Sequence, residues 1–381
     1  MSDKMDPTLG RRIQRRSFLR RAGMAGLAIG ATPTILAACG DDDDSGSSAT
    51  TGGTGTSASD GSTTASTAAA GGGDFGTLNL QLNWITNAEF AGSYVAVEEG
   101  YYAANGFETV NIVPGGPDVA VEPAVVAGNS KLAYTVSETM AGAVAEGAAI
   151  KVIGALFQNN PFGVMSFTEA PILEPADMVG KSIGVQAVND ALWDALLEIN
   201  GIDPGDVNKV PAGFDPAPFV NGEVDGWFSF VTNEPNILRA EGYDVTDFSL
   251  SDFGFKLYQQ LLITTEDVLA NEFDLVSAAL KSEIQGWQRT RDDIDLGLQY
   301  TMEIYGADLG LDEEASRAEI VDQLDRMILT STTDEFGLMY MTDEDIAENV
   351  ATLESIGLPV DSSVYTTEVL DALYADGIDL I

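Results

Sequence analysis

Leu78-Asn-Leu-Gln-Leu-Asn-Trp84, followed by Ile85-Thr-Asn87 and by Glu89 to Asn105, is the stretch that decides how this chain folds. Its first seven residues alternate apolar and polar side chains, the period of a half-buried strand, and the strand hands a tryptophan to a helix cap at Asn87. From Glu89 to Asn105 the apolar positions Phe90, Tyr94, Val97 and Tyr101 recur every three or four residues, which predicts one helix closed by Gly106. Thr109 to Val113 reads as a second strand ending in the rigid loop Pro114-Gly115-Gly116-Pro117. The unit is strand-helix-strand, so an α/β domain opens here. Taken alone it names no ligand, and a tryptophan in this place serves a core as readily as a site.

Downstream the alternation repeats. Val119 to Ala127 is a predicted helix, Lys131 to Tyr134 a short strand, and Ser137-Glu138-Thr139 the cap of a further helix. Ile150 to Phe157 is a buried strand ending in Gln158-Asn-Asn-Pro161, and Gly163 to Phe167 is strand-like. A second lobe is predicted from Met178, with a strand ending at Gln186, a helix over Ala191 to Ile199, and the strand Gly226 to Val231, followed by Thr232-Asn-Glu-Pro235. Leu257 to Thr264 returns as an extended apolar segment, and Glu266 to Tyr340 is helical and amphipathic. Apolar strands alternating with helices predict open, mostly parallel sheets flanked by helices, with ligands at the carboxyl ends of the strands. The division is lobe 1 over 76–177 and 261–381, lobe 2 over 178–260. Two crossings between the lobes form a hinge that closes around a ligand.

Toward the N-terminus, residues 1–38 read as an address. Arg15-Arg16-Ser17-Phe18-Leu19 is a twin-arginine export motif, and Ala22 to Ala38 is too short and too Gly-rich for a comfortable membrane span. Leu36-Ala-Ala-Cys39 resembles the lipobox of bacterial lipoproteins, so Cys39 is the expected lipidation site and two acyl chains would hold the protein on a membrane. Residues 39–75 are almost wholly Asp, Gly, Ser, Thr and Ala, a composition that buries too little to order itself. As a tether of this length it reaches roughly 30 to 35 Å.

Charge and composition exclude several functions. Seven of the 18 cations and two of the 60 acids precede Cys39, leaving eleven against 58, a net charge of about −47 on the remainder. Such a surface repels nucleic acid and anionic lipid, and it suits a salty medium in which self-repulsion is screened. The single cysteine rules out a disulfide framework. The absence of histidine rules out Ser-His-Asp and Cys-His catalysis and any imidazole metal site. Asp293-Ile-Asp295-Leu-Gly297 lacks the spacing of a calcium loop, so no metal site and no cofactor are expected.

The strand ends collect Trp84, Asn87, Phe90, Ser137, Glu138, Gln158, Asn160, Gln186, Asn233 and Glu234 as candidate ligand residues, and none is basic. Rings stack on a flat heterocycle, amides read its edge, and a carboxylate accepts from an amino group or a protonated ring nitrogen. Asn87 and Ser137 serve equally as helix caps, and Asn160-Pro161 and Glu234-Pro235 as turns. Trp193 and Trp227 read as packing.

Leu82-Asn-Trp-Ile-Thr-Asn87, Phe90-Ala-Gly-Ser-Tyr-Val-Ala-Val-Glu-Glu-Gly-Tyr-Tyr102 and Gly106-Phe107 together resemble the NMT1/THI5-like family of periplasmic binding proteins, over roughly residues 78 to 340. In its thiamine-precursor binders a Trp and an Asn after the first strand, and an Asn-Glu-Pro turn in the second lobe, face the ligand; Trp84, Asn87 and Asn233-Glu234-Pro235 match. Gly115-Gly-Pro-Asp118, Phe157-Gln158 and Phe230-Val-Thr-Asn233 look more like riboflavin-type relatives. Fungal enzymes of the family consume one of their own histidines, which this chain does not have. The resemblance therefore implies a type II periplasmic-binding-protein fold. It also implies a monomeric extracytoplasmic lipoprotein that delivers a thiamine-pyrimidine precursor or riboflavin to the permease and ATPase of an ABC importer. The alternatives are a receptor of the same fold for sulfonate, nitrate or another organic anion, and an exported hydrolase using Glu138 with Glu234 as paired carboxylates.

Overall fold

The structure is a computed structural model that describes residues 74–381; the expected signal segment, Cys39 and nearly all of the expected tether lie outside the described residues. Among the described residues ten strands form two sheets of five. They are β1 Thr77–Gln81, β2 Thr109–Val113, β3 Leu132–Thr135, β4 Ile150–Phe157, β5 Phe162–Phe167, β6 Ser182–Gln186, β7 Asn208–Ala212, β8 Gly226–Phe230, β9 Val245–Ser249 and β10 Gln259–Thr265. The first sheet runs β2-β1-β3-β10-β4 and the second β7-β6-β8-β5-β9.

In each sheet the strands joined through helices pair in parallel, with β1 beside β2 and β3, and β6 beside β7 and β8. One strand per sheet runs against its neighbours: β10 in the first, β5 in the second. These are the strands that enter directly after a crossing. The connection β4 to β5 and the connection β9 to β10 carry the chain from one lobe to the other and back.

The first crossing falls at residues 158–161, ahead of the expected boundary at Met178, because β5 pairs with β8 and β9 in the second sheet. The second ends at Gln259, slightly before the expected residue 261. An apolar strand shows its burial in the sequence but not which sheet it joins, and partner choice set this boundary. The strands β7 and β9 carry no marked alternation; both lie at sheet edges, where Pro211 of β7 is tolerated.

The expected single helix over Glu89 to Asn105 is broken. A 3-10 turn Ala88–Phe90 leads into the helix Ala91–Glu98, Gly100 takes a left-handed conformation (φ 77°), and a short helix Tyr101–Ala104 follows. Periodicity survives such a break, since the apolar face resumes on the other side of the glycine. The helix Phe273–Asp292 crosses Ala91–Glu98 at a contact made of two glycines: a Cβ on Gly286 would stand 2.1 Å from the Gly92 carbonyl oxygen. Leu78, Leu80, Tyr94, Tyr134, Leu262, Leu280 and Trp287 lie in the core of the first lobe. The second lobe packs on both faces of its sheet, Trp193 with Phe228 on one and Trp227 with Phe219 and Leu238 on the other.

Candidate functional site

Three segments converge where the lobes meet. The loop after β1 brings Trp84 and Asn87, the start of the helix Glu234–Ala240 brings Asn233 and Glu234, and the helix Glu313–Asp322 brings Glu319. The Asn87 side chain caps the 3-10 turn by accepting from Glu89 N at 3.3 Å, and its Nδ2 donates to Glu319 Oε1, also at 3.3 Å. From the second lobe Asn233 Nδ2 donates to Glu319 Oε2 at 3.0 Å. Both lobes thus hold one carboxylate. Further along the same helix face Asn236 Nδ2 donates to Asp322 Oδ2 at 2.8 Å, and Arg326 pairs with Asp247 of β9 at 2.7 Å.

Two further acids, the buried Glu89 and the half-buried Glu234, lie near Glu319. Glu89 is 5% exposed and accepts from Gln260 Nε2; Glu234 accepts from Phe230 N at 3.1 Å. Burial pushes the carboxyls of Glu89 and Glu234 up to about 7, against the hydrogen bonds that favour their charged forms, and the charge of Glu234 adds to the rise at Glu89. Burial, then repulsion from Glu89 and further repulsion from Glu234 and Asp322, holds Glu319 well above the usual carboxylate range. Among the described residues no ion pair includes any of the three.

Two glutamines complete the setting. Gln260 holds a left-handed backbone (φ 49°), a strained state for a residue with a Cβ, and this puts its amide on Glu89. Gln323 opens the π-helical turn Gln323–Ile328 and donates to the Ala88 carbonyl at 3.4 Å, beside Glu89. The Oε1 atoms of both glutamines are buried without a hydrogen-bond partner. The Trp84 ring lies 5.4 Å from that of Phe214, which follows β7 in the second lobe.

Of the residues expected from the sequence, Trp84, Asn87, Asn233 and Glu234 come together here. The others do not. Phe90 is core, 5.9 Å from the ring of Tyr134. Ser137 is the first residue of its helix and does not cap it; its hydroxyl donates to the Tyr258 carbonyl at 2.6 Å. Glu138 accepts from Gln259 Nε2 at 2.9 Å. Gln186 is satisfied within the second lobe by Phe228 O and Asn189. Asn160 accepts from Phe162 N and Ser249 donates to its carbonyl, which ties the first crossing to the end of β9. Gln158 lines a separate polar pocket at the hinge, with Lys256, Tyr258, Asp345 and Asn349.

Glu89, Gln260, Glu319 and Gln323 are absent from that expectation. A Gln-Gln pair entering an otherwise apolar strand marked Gln260; Glu319 and Gln323 carried no signal, being ordinary helix residues in an acidic chain.

Comparison with known proteins decides the family. The sequence pattern of the NMT1/THI5-like family matches residues 87–293. The chain belongs to that family. It is 25% identical over 217 residues to a formylaminopyrimidine-binding protein of Halalkalibacterium halodurans, covering 56% of this chain and 66% of that one. To the riboflavin-binding protein RibY of Chloroflexus aurantiacus it is 27% identical over 247 residues, covering 62% and 70%. The chain therefore spans about two thirds of the length of these relatives. The fold matches that of a putative periplasmic sulfonate-binding protein, SsuA, from Methylobacillus flagellatus, with a TM-score of 0.58 at 14% identity over 79% of this chain and 94% of the other. This NMT1/THI5-like chain thus has the periplasmic-binding-protein fold, and no helix among its described residues is long and apolar enough to cross a membrane.

Proposed function

We propose that this protein is the extracytoplasmic receptor of an ABC importer and closes its two lobes on a small heteroaromatic vitamin or vitamin precursor. The observation that carries the reading is Glu319 held from both sides, by Asn87 of the first lobe and Asn233 of the second, beside a tryptophan that faces an aromatic ring across the cleft. A hinge with two crossings and a polar meeting point is what ligand-gated closure needs; catalysis needs a nucleophile or an activated water, and neither enters this reading. The relatives that bind a formylaminopyrimidine and riboflavin support a flat nitrogen heterocycle as cargo. Buried acids with no paired cation weigh against a sulfonate or nitrate.

In this reading the twin-arginine segment exports the chain, acylation of Cys39 anchors the monomer to the outer face of the cytoplasmic membrane, and the permease and ATPase receive the ligand. Thermal unfolding of the purified chain against aminopyrimidines, thiamine, riboflavin and alkanesulfonates tests it. A ligand at a hundred times its Kd adds ~2.7 kcal/mol, an easily resolved rise. A rise with a heterocycle is expected; a rise with sulfonates alone would overturn the heterocycle.

A further inference from the structure

Away from the Glu319 site, a cavity of about 140 Å³ lies where the chain passes between the lobes. Gln158 and Asn159 of the first crossing, Lys256 and Tyr258 ahead of β10, and Asp345 and Glu348 of the helix Asp343–Ser355 line it. Leu257, between the lysine and the tyrosine, packs in the core of the second lobe, whereas Tyr258 belongs to that of the first. Asp345 and Glu348 are three residues apart on their helix and so share a face.

Several groups in these walls are already committed. Gln158 Nε2 donates to the Ala155 carbonyl at 2.7 Å, Asn159 Nδ2 to the Arg326 carbonyl at 2.8 Å, and Asn349 Oδ1 accepts from Tyr258 N at 2.7 Å. Others are not. Tyr258 is 3% exposed, yet its hydroxyl has no hydrogen-bond partner. Burial, then the charges of Asp345, Tyr365 and Glu348, raise that hydroxyl's proton affinity, so it remains a donor and stands within the field of the helix acids. Thr342 and Thr332 both donate to Asp345 Oδ2, at 2.7 and 3.1 Å, which leaves Oδ1. Lys256 and Glu348 enter no ion pair among the described residues.

The segment before β10 therefore offers donors, one of them cationic, and the helix offers carboxylate oxygens. A simple anion would meet the two acids, and a simple cation would meet Lys256. A molecule with both charges answers both walls, and a cavity of this volume holds one of about six heavy atoms. We propose that the pocket is a second binding site, for a small zwitterion whose carboxylate is received by Lys256 Nζ and the Tyr258 hydroxyl and whose ammonium is received by Asp345 Oδ1 and Glu348. The site is separate from the one at Glu319 and does not depend on what that one takes. Lys256 and Glu348 are exposed and their contacts screened, so the buried hydroxyl contributes most and millimolar affinity is expected.

The test is a chemical-shift titration of the purified full chain, isotope-labelled on tyrosine nitrogen, with glycine, β-alanine and 4-aminobutyrate, which differ in the span between their charges. Tyr258→Phe identifies the Tyr258 amide signal, and at least one of the three is expected to move it. Propylamine, which lacks the carboxylate, should bind about tenfold more weakly or worse than the best zwitterion, and propionate, which lacks the ammonium, about threefold more weakly. Lys256→Gln and Glu348→Gln should each weaken the zwitterion by about three- to fivefold. Thermal-shift titration of Tyr258→Phe should show about a tenfold loss for the zwitterion and an unfolding midpoint, without it, no lower than the parent's, because the hydroxyl removed had no partner. No movement of the Tyr258 signal by any of the three would overturn the inference and leave a pocket for water. Equal binding of the zwitterion and propylamine, or a zwitterion affinity indifferent to both charge substitutions, would overturn it as well, and in every case the receptor reading would stand.

Discussion

Glu283 and Glu319 are both buried glutamates on C-terminal helices of the first lobe, and they differ in what surrounds them. Glu283, on Phe273–Asp292, is fully buried and accepts from three hydroxyls, Ser93 at 2.5 Å, Tyr102 at 2.5 Å and Tyr134 at 2.6 Å. Burial raises its carboxyl, and all three hydroxyls pull it back down. Glu319 has two amides, one from each lobe, and three acids that push its proton affinity further up. The first acid is satisfied within one rigid lobe and fixes that lobe. The second lies where the two lobes meet and accepts from two neutral amides only. Burial alone therefore does not distinguish the two carboxylates; donor supply and position relative to the boundary between the lobes do.

Substitutions should break the two sites in different ways. Glu283→Ala leaves three buried hydroxyls without their acceptor and opens a cavity, so it should cost about 3 to 5 kcal/mol of stability by urea unfolding. Folded Glu283→Ala protein should keep its ligand affinity, and a large loss of affinity would merge the two regions into one. Trp84→Ala should do the reverse, weakening ligand binding by ~1 to 3 kcal/mol if the ring stacks on the heterocycle, with little change in unfolding midpoint. Unaltered affinity would assign Trp84 to packing.

The acid seam also predicts a pH dependence. Glu89 and Glu234 ionise in the unfolded chain near 4.5 but in the fold only near 7, so their contribution is fully present below pH 4.5 and is lost as pH rises through 7. Glu89→Gln removes that penalty. The variant should match the parent near pH 4.5 and exceed it by ~1 to 3 kcal/mol at pH 8, read from denaturation midpoints across that range. A gain independent of pH would mean that Glu89 is not the group that titrates. The smallest effect belongs outside both regions: Arg317 pairs with Asp295 in solvent, and Arg317→Ala should change stability by under ~1 kcal/mol and leave binding untouched.

Some of this was legible in the chain. The alternation at Leu78 and the apolar run Ile150 to Phe157 marked buried strands, and β2 and β4 fall on the expected residues, because a pleated strand half-buried in a sheet imposes its period on the sequence. Trp84, Asn87, Asn233 and Glu234 were legible because they follow strands, where an α/β sheet exposes its ends. Phe90, Ser137 and Gln186 share that placement but turn inward, since position along a strand end does not fix the direction of a side chain.

By itself the sequence determined the class of fold, the lack of imidazole chemistry and the acidic character of the surface, all of which depend on composition and local period. Tertiary structure alone decided that β5 joins the second lobe, that Glu283 is saturated by hydroxyls, and that Glu319, 232 residues from Asn87 and 86 from Asn233, stands between them. Those are contacts between segments far apart in the chain, and a glutamate in an amphipathic helix looks the same in sequence whether its neighbour in space is water, a tyrosine or another acid.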